Sequence, residues 1–212
     1  MALISSLITE VRVDINDSDS TRFTTDTPIL AVFKKAIRRA NRICQRNGVQ
    51  FAKKKAALTT VTSQTYVDIS TVTDFDVFIG LFRDSDHTEI RLVTERDWEL
   101  LVSPDVLTKA LIDQANSKIC LAGTPTAAEA LTLWYYPTVD PSAYTTASST
   151  PWSGRLDDIL VEYVSLRLKN IDEMEASFDQ ALLNDMENQI VSAYVPNSSN
   201  YEEGSGWLGD MG

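Results

Sequence analysis

Apolar residues at the start of the chain follow a helical spacing. They recur three and four positions apart at Leu3, Ile4, Leu7, Ile8 and Val11, which places them on one face of a helix. After a polar stretch, Thr27-Pro28 is typical of a helix start, with Thr as the N-cap and Pro at the first helical position. A second helix is predicted from there to Gly48, a residue that commonly ends helices. Its apolar face comprises Ile29, Phe33, Ala36, Ile37, Ala40, Ile43 and Cys44.

The middle of the chain has a different pattern. From about residue 56 to residue 146 it consists of short runs rich in Thr, Val, Ile, Leu and Tyr, separated by turn residues. This pattern predicts an antiparallel sheet or a small sandwich. Within it, Thr94 is expected to cap one short helix, with Asp97 at the third helical position.

Helical spacing returns after residue 152 and predicts two helices joined by a short connection at 170–173, hence an antiparallel hairpin. We therefore expect an α+β fold in which two N-terminal and two C-terminal helices form a four-helix bundle, with an inserted antiparallel β module and a flexible C-terminal tail. The expected domains are a helical bundle (1–55 and 152–195), the inserted β module (56–151) and a C-terminal docking tail (196–212).

Charge is distributed unevenly along the chain. The formal net charge is -11, yet residues 1–55 hold 11 Lys or Arg and 5 Asp or Glu. Residues 155–212 hold 3 basic and 12 acidic residues. A positive start and a negative end are expected to meet, either within one subunit or between neighbouring subunits.

The second predicted helix holds much of the positive charge. Six of the sixteen residues from Phe33 to Gly48 are Lys or Arg and none is acidic. Three interpretations remain open: a solvated outer face, an interface with an acidic neighbour, and a surface that binds nucleic acid. The last lacks aromatic residues for base stacking and matches no recognition-helix motif.

Residues that would indicate catalysis or a bound cofactor do not form a recognisable set. The single histidine, His87, lies in a predicted turn, and Cys44 and Cys120 are far apart and in apolar surroundings. No phosphate-binding or nucleophile motif is present. We expect no enzyme activity, cofactor or metal. No apolar run approaches a membrane span, and the N-terminus is predicted to be an amphipathic helix and not a signal peptide.

The order of these elements resembles the head-to-tail adaptor (connector) proteins of tailed bacteriophages. The short helix, Asp-rich loop with an Arg, and basic Ala-containing helix correspond to LITEVRVDINDSDSTRFTTDTPILAVFKKAIRRANRI. The aromatic strand before a proline corresponds to LTLWYYPTV, and the Pro-Trp turn leading to the helix pair to STPWSGRLDDILVEYVSLRL. The similarity spans most of residues 1–195.

The resemblance implies a structural virion protein that is not an enzyme. Such proteins form a homo-oligomeric ring, commonly a dodecamer, beneath the portal protein. They extend the DNA channel and provide the surface on which the tail docks. The implied partners are the portal and tail or neck proteins, with DNA only as passing cargo and no membrane. The implied location is the neck of the virion, reached from the host cytoplasm during assembly.

Two sets of residues are predicted to make these contacts. The basic helix would supply a subunit or portal interface through Lys34, Arg38, Arg39, Arg42 and Arg46. The C-terminal tail would dock on the portal through Tyr201, Trp207 and Leu208.

Two alternatives stay open. One is a tail-tube terminator or other neck protein. The other is a non-viral protein- or carbohydrate-binding module that uses Trp134, Tyr135 and Tyr136. If Leu133 and Tyr135 face the core, strand alternation would turn Trp134 and Tyr136 outward.

Overall fold

The computed structural model describes residues 2–99, 101, 108–170 and 176–195. These residues form five α-helices and seven β-strands. The helices are α1 (Ile4–Asp14), α2 (Thr27–Arg46), α3 (Glu95–Glu99), α4 (Asp157–Lys169) and α5 (Ala176–Tyr194). The strands are β1 (Lys54–Thr59), β2 (Tyr66–Asp68), β3 (Phe75–Arg83), β4 (Glu89–Leu92), β5 (Lys109–Asp113), β6 (Lys118–Leu121) and β7 (Ala130–Pro137).

The chain divides into two compact units. The helical unit comprises residues 1–51 and 139–212, and the β unit comprises residues 52–138. The predicted division into a helical bundle, an inserted module and a tail stays a prediction, because spatial compactness does not show which segment folds on its own.

In the helical unit, α1 packs on α4, while α2 packs on both α4 and α5. The apolar spacing that predicts α1 and α2 also gives their buried faces, including Ile4, Ile8, Ile29 and Phe33. The helices α4 and α5 run antiparallel, since Arg167 on α4 pairs with Asp179 near the start of α5 and Glu162 accepts a hydrogen bond from Gln189 further along it.

The ends of α2 follow local rules, with one correction. Asn47 and Gly48 end the helix, and Gly48 has the positive φ of 71° that glycine adopts readily. At the other end, Asp26 and not Thr27 occupies the N-cap position. The prediction of Thr27 as the cap is wrong because Thr27 is already helical. Asp26 makes no capping bond, since its carboxylate accepts from Arg12.

The segment that follows the β unit belongs to the helical unit. The backbone N–H of Ile4 donates to the carbonyl of Ser148 at 2.8 Å, and that of Ser5 donates to Thr146 at 2.9 Å. A 3₁₀ turn at Pro141–Ala143 lies against α2. These bonds hold the N-terminus of α1 in place.

The seven strands form one sheet in the order β1-β7-β3-β4-β5-β6-β2. The edge strands β1 and β2 also approach each other, so the sheet is nearly closed. Neighbouring strands are antiparallel except β4 and β5, which pair in parallel through Arg91–Lys109 and Leu92–Ala110. The sheet is therefore mixed.

The predicted fold class, a four-helix bundle with a small inserted antiparallel β module, is wrong. The protein is α+β with five helices and a nearly closed, seven-stranded mixed sheet. The parallel pair needs a crossover connection, and the chain that contains α3 supplies it between Leu92 and Lys109.

The sheet also has its own core. Its strands bury their apolar faces against one another at Leu58, Val67, Ile69, Leu81, Ile90, Ala110, Ile119, Leu121, Leu131, Leu133 and Tyr135. This shared core stabilises the sheet from within its own unit. The capping prediction for α3 is confirmed, because the N–H of Asp97 donates to the Thr94 hydroxyl at 3.2 Å and that hydroxyl donates to the Asp97 carboxylate at 2.8 Å.

A polar network joins β1, β7 and the loop before β3. The hydroxyl of Tyr135 donates to Asp74 at 2.7 Å, and the ammonium of Lys54 lies 2.6 Å from the other carboxylate oxygen. Burial raises the pKa of Asp74, but the bonds from Lys54 and Tyr135 outweigh it and the net shift is downward. Burial and the bond to Asp74 raise the pKa of Tyr135 to about 12.

Candidate functional site

The basic residues of α2 lie opposite its buried apolar face. Lys35, Arg38, Arg42 and Arg46 are exposed, while Lys34 and Arg39 are half-buried. The 20-residue helix keeps the two faces apart along its whole length, as expected for a helix with one side on a core.

Two of the predicted interface residues lie near an acidic turn of the same unit. Hydrogen bonds within the turn from Ser142, and then the charges of Arg38 and Lys34, lower the pKa of Asp140. The 3₁₀ turn that Asp140 precedes contacts α2, and Asp140 itself is exposed.

Two others contact α4 and α5. The guanidinium of Arg39 donates to the hydroxyl of Tyr163 and lies 5.7 Å from the centre of its ring. Arg46 pairs with Glu187, which also accepts a bond from Asn47 at 3.1 Å. The bonds from Asn47 and Arg46 lower the pKa of Glu187. The positive start and the negative end thus meet within one subunit.

A groove between α2 and α5 collects these residues. It has a volume of about 410 Å³, and we call it the α2/α5 groove. The residues that matter most for its chemistry are Arg39, Arg42 and Arg46 of α2 and Gln180, Leu183 and Glu187 of α5. Arg42 lies between the two partnered arginines and has no ion pair within the described part of the chain.

The aromatic cluster of β7 does not provide an open binding surface. Leu133 and Tyr135 are buried, but so is Tyr136, which is only 4% exposed. Trp134 is half-buried and lies under the ammonium of Lys55, 4.2 Å from the ring centre. The expectation that Tyr136 is exposed is wrong, because its side chain is buried, whereas the register shifts in the pairing with β7 skip residues of β3 and leave the residues of β7 consecutive.

Cys44 and His87, two other candidates for reactive chemistry, lie in the core and in a turn. Cys44 is buried, and burial raises the pKa of its thiol to about 12. His87 lies in the turn between β3 and β4, with a φ of 57°. Among the described residues, no group of three or more His, Cys, Asp and Glu side chains is arranged to hold a metal ion. The same residues contain no helix with the length and apolarity to cross a bilayer.

The predicted docking residues Tyr201, Trp207 and Leu208 lie outside the described residues, so their role stays a prediction.

One buried site escaped prediction from the sequence. The carboxylate of Asp17 is 1% exposed and accepts from the guanidinium of Arg12 at 2.7 Å. It also accepts from the backbone N–H of Arg22 at 2.6 Å and of Phe23 at 3.1 Å. The sequence feature that could have indicated this site is Arg12, which lies in the predicted first helix and is followed by an Asp-rich loop.

Comparison with known proteins places the chain in a family. No curated protein matches it. The model of the family described as SU10 adaptor protein matches residues 3–200. This match covers both units and confirms the resemblance to phage head-to-tail adaptors. The chain therefore belongs to the SU10 adaptor protein family, a family of phage head-to-tail adaptors.

Proposed function

We propose that the protein forms a head-to-tail ring, a dodecamer as is common among such adaptors, beneath the portal in the virion neck. The ring extends the channel through which DNA passes and provides the docking surface for the tail. Family membership supports a structural, non-catalytic role in the virion and contacts with portal and tail proteins. Assembly takes place in the host cytoplasm.

The observation that carries the ring proposal is the exposed basic row of α2 on an acidic protein. Lys35, Arg38 and Arg42 project from the helix surface, whereas the chain as a whole carries -11. A head-to-tail ring joins two different patches of each subunit, so complementary charges on one chain favour it. An acidic ring lumen also keeps DNA from adhering, because like charges repel.

The five basic residues predicted for this interface divide by their contacts. Arg39 and Arg46 already hold α2 against α4 and α5. Lys34 is half-buried. Arg38 and Arg42 are exposed and, with the adjacent exposed Lys35, which is not one of the five, they form the row that we propose as the subunit or portal interface. The C-terminal tail, through Tyr201, Trp207 and Leu208, is a second portal contact.

The test is charge reversal at Lys35, Arg38 and Arg42, each changed to Glu. A matched control carries the same change at Arg91, Arg96 and Lys109, three exposed residues of the β unit. Ring formation on assembled portal is followed by mass measurement. We expect the α2 variant to lose ring formation at low salt and the control to retain it, with both folded by circular dichroism.

Rings that form equally well with the α2 variant would refute the proposed interface. Failure of the wild-type chain to bind portal at all would refute the adaptor ring itself.

A further inference from the structure

The α2/α5 groove combines excess positive charge with an apolar floor. Glu187 neutralises Arg46, and Arg39 is stacked on Tyr163, which leaves Arg42 exposed at the centre of the groove. Ile43 and the half-buried Leu183 supply apolar surface beside it. A ligand that fits this groove presents carboxylates together with a large apolar side chain.

The C-terminal segment of the chain has this chemistry. Residues 196–212 contain Glu202, Glu203 and Asp210 and no Lys or Arg. They also contain the adjacent apolar pair Trp207-Leu208. Tryptophan is enriched among the residues that contribute most to binding, and carboxylates form strong charge-assisted hydrogen bonds with arginine.

The length of the segment is sufficient. The groove residues on α5 lie 8 to 15 positions before Val195, which is about 12–22 Å along a helix at 1.5 Å per residue. Trp207 follows Val195 by 12 positions, and an extended chain of that length spans up to about 40 Å. The segment can therefore return along α5, and its attachment raises its effective concentration to the millimolar range.

We infer that residues 201–208 of the C-terminal segment occupy the α2/α5 groove of the same molecule, with Glu202 and Glu203 near Arg42 and Trp207 on the apolar floor. The inference concerns the free chain and does not depend on the portal. Any partner that takes Trp207 must first displace it from this groove.

The experiment uses full-length chains and a fluorescent peptide of residues 196–212. In one chain the tail is disabled by Trp207→Ala and Leu208→Ala. The disabled chain is then combined with Arg42→Glu or, as the control, Lys35→Glu. Lys35 is an exposed base on the same helix that does not line the groove. Peptide binding is measured by fluorescence anisotropy.

We expect the tail-disabled chain to bind the peptide, and the wild-type chain to bind it at least about tenfold more weakly because its own tail competes. Arg42→Glu should weaken binding by about tenfold or more, while Lys35→Glu should change it by less than about threefold. No binding to the disabled chain, or equal effects of Arg42→Glu and Lys35→Glu, would overturn the groove as the site. Equal binding by the wild-type and disabled chains would overturn occupation by the molecule's own tail.

Discussion

Replacement of Arg12 by Met tests whether one buried ion pair holds the loop between α1 and α2. Arg12 is 8% exposed and Asp17 is 1% exposed, and their side chains meet at 2.7 Å. Met preserves the apolar stem of the arginine but leaves the Asp17 carboxylate buried without its counter-ion. Loss of one partner of a buried pair costs about 3–5 kcal/mol. The bond from Arg12 to the half-exposed Asp26 adds at most about 1 kcal/mol.

We therefore expect Arg12→Met to lower the free energy of unfolding by about 3–5 kcal/mol. Urea unfolding followed by far-ultraviolet circular dichroism measures this loss, since the helices dominate that signal. Arg38→Met is the control, because Arg38 is exposed on α2 and its loss should change stability by less than about 0.5 kcal/mol.

A double variant separates the pair from the individual side chains. Arg12→Met with Asp17→Asn leaves no unpaired charge in the core, so its loss should be smaller than the sum of the two single losses. A loss under about 1 kcal/mol for Arg12→Met, or strict additivity in the double variant, would refute the reasoning.

Three further predictions concern the β unit and the core thiol. Tyr135→Phe should lower stability by about 1 kcal/mol near neutral pH. This difference should shrink as the pH falls below 3.8, the ordinary pKa of Asp, toward the lower pKa of folded Asp74. It should shrink again above pH 10, because Tyr135 ionises there in the unfolded chain but only at about pH 12 in the folded chain. A difference in urea unfolding that does not change with pH would contradict this prediction. Residues 53–138 can be replaced by a short Gly-Ser linker, because β1–β7 pairing brings Lys54 and Tyr135 together at the two ends of the β unit. We expect circular dichroism to show a helical protein that unfolds cooperatively. A molten product would show that the helical unit needs the sheet. A thiol reagent should label Cys120 before Cys44, because Cys44 is buried and its burial raises the pKa of its thiol to about 12. Mass spectrometry that shows early labelling of Cys44 would contradict this order.

Features decided by neighbouring residues were predictable from the sequence. The apolar spacing gave the buried face of α2, Gly48 marked its end, and Thr94 with Asp97 marked the start of α3. The order of these elements was also enough to suggest the adaptor family that the match over residues 3–200 confirms. Such features depend on helical and strand periodicity and on caps, which act within a few residues.

Part of the candidate site was predictable for the same reason. The basic row is a property of one helix, so Arg38 and Arg42 were identified with their correct side of α2. The partners of Arg39 and Arg46 were not identifiable, because Tyr163 and Glu187 lie more than 120 positions further along the chain. Periodicity shows which side of a helix a residue lies on but does not identify the residue that it contacts.

Only the tertiary structure decided how the strands pair and which polar groups are buried. Short strands separated by turns suggested hairpins, yet β4 pairs with β5 in parallel, and β1 pairs with β7 at the other end of the unit. Tyr136 is buried where alternation predicted exposure. Asp17, in a loop that is polar in sequence, is buried beside Arg12 of α1. Strand order, register and ion pairing depend on the apolar surface and charge buried by the whole unit at once. These totals involve residues far apart along the chain, so no short stretch of sequence determines them.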